Sequence, residues 1–76
     1  MRISELQNKN VINLLDGKDI GSIIDVSIDE NGKTLELIVE KHKFLISSFS
    51  SNREVVIKWE QVEKIGEDVI LVKVVN

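Results

Sequence analysis

Apolar and polar residues alternate along this chain in short runs, and turn-forming residues interrupt them at close intervals. In "GSIIDVSIDENGKTLELIVEK" the first run sets Ile24, Val26 and Ile28 on one face and Asp25, Ser27 and Asp29 on the other. The second run sets Leu35, Leu37 and Val39 against Thr34, Glu36 and Ile38. A period of two is the mark of a strand with two unlike faces. Asn31-Gly32 between the runs suits the twist of adjoining strands, so the segment reads as a hairpin.

The remaining runs are shorter. Val11–Leu15 reads as a strand broken at Asp16-Gly17, where glycine tolerates positive φ and aspartate bonds back to its own backbone. Phe44–Phe49 reads as a strand with Phe44 and Ile46 on one face and Leu45 on the other, and Ser50–Glu54 as a turn. Glu54–Trp59 alternates again, with Val55, Ile57 and Trp59 together, and Glu60-Gln61 bends the chain. A last tight hairpin turns at Gly66–Asp68. Ser4–Gln7 has the form of a capping box, which predicts one helical turn and no more, because no amphipathic period follows. About six short strands at this spacing predict an all-β fold, a small six-stranded barrel with at most one short helical turn near the N-terminus. Closure leaves few open strand edges. No linker, repeat or low-complexity stretch divides residues 1–76, which read as a single domain.

The last run breaks the alternation. "VILV" at Val69–Val72 is apolar on both faces. If Ile70, Val72 and Val74 fill the barrel, then Val69, Leu71 and Val75 lie outside. Ile23, Ile38 and Val56 fall on the off-core faces of their own strands. Fully burying one such side chain contributes about 1.5–3 kcal/mol. Leaving five or six in water forgoes on the order of 10 kcal/mol, comparable with the whole stability of a small domain. These six residues are therefore the candidate interface, for self-association or for another protein. A strand-mediated homodimer would also relieve the thin stability margin of so short a chain.

Composition supports this reading. Ile and Val number 21 of the 76 residues, Leu adds seven, and Ala and Pro are absent. Branching at Cβ suits a pleated surface better than a helix. The formal net charge is -3, the ten basic residues are scattered, and only "KHK" at Lys41–Lys43 is dense. Nucleic-acid affinity comes from clustered Lys and Arg on phosphates, so direct binding is not expected. There is no apolar run that could span a bilayer and no basic amphipathic helix for a membrane surface. The N-terminal "MRISELQNKN" lacks the apolar stretch and cleavage site of a secretory signal, and cysteine is absent. A cytoplasmic location is expected.

Candidate chemistry is sparse. His42 is the only histidine, flanked by lysines in a loop; the Ser47–Ser51 cluster nearby lacks the pattern of an activated nucleophile. "DENG" at Asp29–Gly32 fails as a calcium loop, since its first and twelfth positions would be Ser27 and Ile38. Gly17-Lys18 lacks the earlier glycine of a phosphate loop, and Gly17 and Gly21 lack the third glycine of a dinucleotide fingerprint. Glu67-Asp68 reads as a solvated hairpin tip rather than an acid–base pair. Trp59 reads as core or core rim, with a binding anchor as the alternative. A small barrel fills its interior with side chains, so no substrate cavity, cofactor or metal is expected.

Two stretches carry a family resemblance. "DGKDIGSIIDVSIDENGKTLELIVE" resembles the opening half of a PRC-barrel domain, with Asp16-Gly17 at a turn, Ile20-Gly21, a strand, a glycine turn and an apolar strand. "VIKWEQVEKIGEDVILV" resembles the closing half, where Ile65-Gly66-Glu67-Asp68 precedes the final apolar strand. Trp59-Glu60-Gln61-Val62 leading into that hairpin is similar to the short stand-alone members associated with sporulation in endospore-forming bacteria. The resemblance implies a six-stranded barrel that acts as an adaptor on other proteins, with no enzyme chemistry, no cofactor and structural roles for the motif residues. The alternative it offers is a ribosome or RNA-maturation accessory factor acting through a protein partner, as in larger family members.

Overall fold

The computed structural model describes residues 2–42 and 53–75. The expected Phe44–Phe49 strand, most of the Ser50–Glu54 turn and the Ser47–Ser51 cluster lie outside the described residues. Within them the chain forms α1 (Ile3–Gln7), β1 (Asn10–Asn13), β2 (Asp19–Ile28), β3 (Thr34–Lys41) and β4 (Glu54–Lys58). A 3-10 turn, Trp59–Gln61, then leads into β5 (Val62–Ile65) and β6 (Val69–Val72). The six strands make one sheet in the order β4-β3-β2-β1-β6-β5. All pairings are antiparallel except β1 with β6, which run parallel and join the two ends of the chain.

The sheet rolls around a single core. Val11 (β1), Ile23 (β2), Leu37 and Val39 (β3), Ile57 (β4), and Ile70 and Val72 (β6) are buried in one cluster, although β4 and β6 are separated by three strands in the order. Only a curled sheet brings Ile57 against the same cluster as Ile70. Val62 and Ile65 of β5 pack on it as well, and Leu6 of α1 and Val74 reach it from the two chain ends. β4 and β5, the ends of the strand order, are joined by the Trp59–Gln61 turn. Gln61 braces that corner: its side-chain oxygen accepts the Lys58 N–H at 2.9 Å and its main-chain oxygen accepts the Lys73 N–H at 2.9 Å.

Four single-residue irregularities bend the strands. Ile20 and Ile24 are extra residues on β2, Leu35 on β3 and Glu63 on β5. A bulge of this kind inserts one residue opposite its partner and increases local twist, which is how a short sheet curls. It also resets which side chains face inward. Ile23 lies opposite Val39, Ile24 and Asp25 together face Ile38, and Val26 lies opposite Leu37. The even-numbered face expected for β2 is therefore corrected before the bulge, while Val26 keeps its expected inward side and packs on the core. Ile23, expected outside, is core at 2% exposure, whereas Ile24 and Ile28 are exposed at 40% and 59%. Leu35, also expected inside, is exposed for the same reason, being the extra residue of β3.

Local details differ from the sequence patterns too. The residue capping α1 is Arg2, which makes no side-chain hydrogen bond, and Ser4 lies within the helical turn. The chain leaves β1 after Asn13, and Leu14 and Leu15 are exposed in the turn that follows. At the β2–β3 hairpin only Gly32 has positive φ, so Asn31 does not play the paired role of a two-residue turn. Instead the Asp29 C=O accepts the Gly32 N–H, and its carboxylate accepts the N–H groups of Asn31 and Lys33, both at 2.9 Å. That is a type I turn closed by a left-handed glycine, with aspartate as its organiser.

Candidate interaction surface

Outside the core, the structure sorts the six candidate interface residues into separate places. Ile23 is not among the outward ones, as its buried position shows. Ile38 and Val56 stand directly opposite each other on β3 and β4. Opposed residues of an antiparallel pair lie on one face, about 5 Å apart at Cβ. Leu37 and Val39 point inward on either side of Ile38, so Ile38 and Val56 face out, and Val56 is 51% exposed. The bulge adds Ile24, which stands with Asp25 opposite Ile38. The result is an apolar stripe, Ile24–Ile38–Val56, across three strands. Glu36 opposite Lys58 flanks it on one side and Glu40 opposite Glu54 on the other.

Val69 and Leu71 form a different group on β6. Leu71 lies opposite Ile12 of β1 and Lys64 of β5, and Val69 opposite Asn10. All three apolar residues are half-buried rather than exposed. Val75 lies beyond β6 and is exposed. Sequence reasoning missed Ile24 as a surface residue, because only its pairing with β3 reveals the bulge.

The motif residues take positions that shape the barrel. The Asp16 carboxylate accepts the Lys18 N–H at 2.9 Å, and Gly17, at φ 72°, donates to the Asn13 C=O at 2.7 Å. Ile20 packs on the core and its C=O accepts the His42 N–H at 3.0 Å. Gly21 lies between β1 and β3, where an added Cβ would fall 1.9 Å from the Glu40 carbonyl oxygen. Trp59 and Ile65 pack against the core. Gly66 closes the last hairpin by donating to Val69 C=O at 2.7 Å, and the carbonyls of Glu67 and Asp68 accept from the Lys9 ammonium and the Asn10 N–H.

His42 lies in a loop just beyond β3 and is partly exposed, as expected, and its Nε2 lies 2.9 Å from Asp19 Oδ1. This pair ties the end of β3 to the start of β2. Among the described residues no three His, Asp or Glu side chains converge to hold a metal ion, and no helix is long and apolar enough to cross a membrane.

One residue was not singled out by the sequence at all. Asn13 is the single buried polar side chain among the described residues, at 1% exposure. Its Nδ2 donates to Val74 C=O at 2.8 Å, while its Oδ1 accepts the Val74 and Leu15 N–H groups at 3.2 Å. The amide acts as a substitute peptide group, extending the parallel β1–β6 ladder by one more exchange.

Comparison with known proteins agrees with this architecture. A probable sporulation protein of Bacillus subtilis, YlmC, is 43% identical over 93% of this chain and 89% of its own length. An uncharacterised protein of Clostridium acetobutylicum is 35% identical over 92% of this chain and 80% of its own length. The family model for the PRC-barrel domain matches residues 1–76. With strands, turn glycines and Ile65–Asp68 hairpin arranged as described and relatives matching across nearly the full length, the chain belongs to the PRC-barrel domain family.

Proposed function

We propose that residues 1–76 act as a single, non-enzymatic protein-interaction module that docks on other proteins through the outer face of β2, β3 and β4. The observation that carries this reading is the stripe of Ile24, Ile38 and Val56 on the outside of the sheet, with Ile24 and Val56 exposed and Ile38 half-buried between them. Removing the remaining exposed surface of three such side chains would contribute roughly 2–4 kcal/mol to association. The flanking charges, Glu36 and Lys58 on one side and Glu40 and Glu54 on the other, would set specificity at the rim. Likeness to the probable sporulation protein of Bacillus subtilis supports a place for the module in sporulation, and this reading assigns it to the cytoplasm.

The test is affinity capture from sporulating and vegetative cells with the wild-type chain, Val56→Lys and Leu71→Lys. Proteins held by the wild type and by Leu71→Lys but lost with Val56→Lys are the expected result. Equal retention by Val56→Lys, with the variant shown to be folded by circular dichroism, would remove the stripe from the account.

A further inference from the structure

We propose that a second copy of the chain joins this surface along its β4 border, by antiparallel pairing of β4 with β4 about a two-fold axis at Val56. The inference rests on the docking reading above and names the copy that lengthens its surface. β4 ends the strand order, with β3 on one side. Its hydrogen-bond phase is set at both ends. The Lys41 N–H donates to Arg53 C=O at 2.7 Å, so alternate residues 53, 55 and 57 direct their peptide groups toward β3. The Lys58 N–H turns the other way, to Gln61 Oε1 at 2.9 Å, so the chain's own corner already takes that donor. Val56 shares the phase of Lys58, so its N–H and C=O point away from β3. Among the described residues no strand pairs with that edge.

The strand is self-complementary. In Glu54-Val55-Val56-Ile57-Lys58 the two charges are opposite in sign and equally far from Val56. An antiparallel two-fold sets Val56 against Val56 of the second copy and Glu54 against Lys58 of the second copy, twice over. A parallel alignment would set like against like. Within one protomer Glu54 stands directly opposite Glu40, and like charges so placed repel. The second copy's Lys58 would bring a cation to that pair at each end of the joined strands. The outer stripes also run together, because directly opposed residues share a face: Ile38–Val56 of one copy continues into Val56–Ile38 of the other without a polar break.

Charge reversal reads the register. Glu54→Lys and Lys58→Glu should each weaken the wild-type dimer about tenfold or more in sedimentation equilibrium, since two attractive cross-strand pairs become repulsive. An equimolar mixture of the two variants should recover affinity to within about threefold, because each then meets its complement. The chain has no cysteine. Val56→Cys should therefore form a disulfide-linked dimer on mild oxidation, as opposed positions lie within bridging distance, while Lys33→Cys at a hairpin tip should not. A wild-type chain that stays monomeric overturns the inference, and so does a dimer insensitive to both reversals or unrescued on mixing. If the wild type is monomeric yet Val56→Lys still loses cellular partners, the docking surface stands and only the pairing of two copies is wrong.

Discussion

Asn13 should be worth more to this fold than any other polar side chain among the described residues. Asn13→Ala removes three hydrogen bonds and leaves the Val74 N–H, the Val74 C=O and the Leu15 N–H without their partner. An orphaned buried polar group costs about 1–3 kcal/mol, but Val74 lies near the end of β6 and can fray toward water. A net loss of about 2–3 kcal/mol is expected, against a total of roughly 4–11 kcal/mol for a domain of this size. At about 4–8 °C per kcal/mol, Tm should fall by about 10–20 °C. Asn13→Asp sharpens the test. It keeps the acceptor for Val74 and Leu15 but turns a carboxylate oxygen toward the Val74 carbonyl, so it should be worse than Asn13→Ala at pH 7. The folded site favours the protonated carboxyl, which regains a donor, whereas the unfolded chain favours the ionised form. The deficit of Asn13→Asp should therefore shrink as pH falls and grow as pH rises. Thermal denaturation followed by circular dichroism at acidic and neutral pH measures both effects. An Asn13→Ala variant melting within about 2 °C of wild type would refute the staple, as would an Asn13→Asp variant no worse than alanine at pH 7.

Two further predictions separate strand geometry from composition. Gly21→Ala drives a Cβ into the Glu40 carbonyl and should cost more than about 3 kcal/mol, enough to prevent soluble folding, whereas Gly32→Ala has open space around it and should cost only about 1 kcal/mol through its positive φ. Expression and thermal melts distinguish them, and equal behaviour of the two variants would contradict the close strand approach at Gly21. Ile23→Ala should cost about 2–4 kcal/mol and Ile24→Ala less than about 1 kcal/mol, because the bulge turns the first inward and the second outward. Denaturant titration giving the reverse order would remove the bulge.

Those same residues show how far the sequence can be read. The alternation that placed Leu37, Val39, Ile57, Ile70 and Val72 inside is local and survived folding, since each sits in a stretch without an inserted residue. The turns at Asp16-Gly17 and Asn31-Gly32 were legible because glycine marks positive φ, although the Asp29 carboxylate and not Asn31 organises the second. Ile23, Ile24 and Leu35 were misplaced because a bulge is a property of two paired strands, and no single run reveals it, whereas Ile28 is exposed as the last residue of β2. Asn13 carried no signal, since its partner Val74 is remote in sequence and the pairing of β1 with β6 is non-local. In the candidate surface, Ile38 and Val56 stood out by breaking their own alternation; that they face each other across β3 and β4 emerged only with the register.

The outer face of β2–β3–β4 as the working surface, lengthened by a second copy along β4, is tested most directly by amide NMR spectra of the uniformly labelled chain recorded from high to low concentration. The account predicts shifts centred on Glu54, Val56 and Lys58, with the Val56 amide losing exchange protection on dilution while Val55 and Ile57, bonded to β3, keep theirs. Spectra that do not change with concentration, or changes centred on Lys64, Leu71 and Lys73 of the opposite side of the strand order, would contradict it.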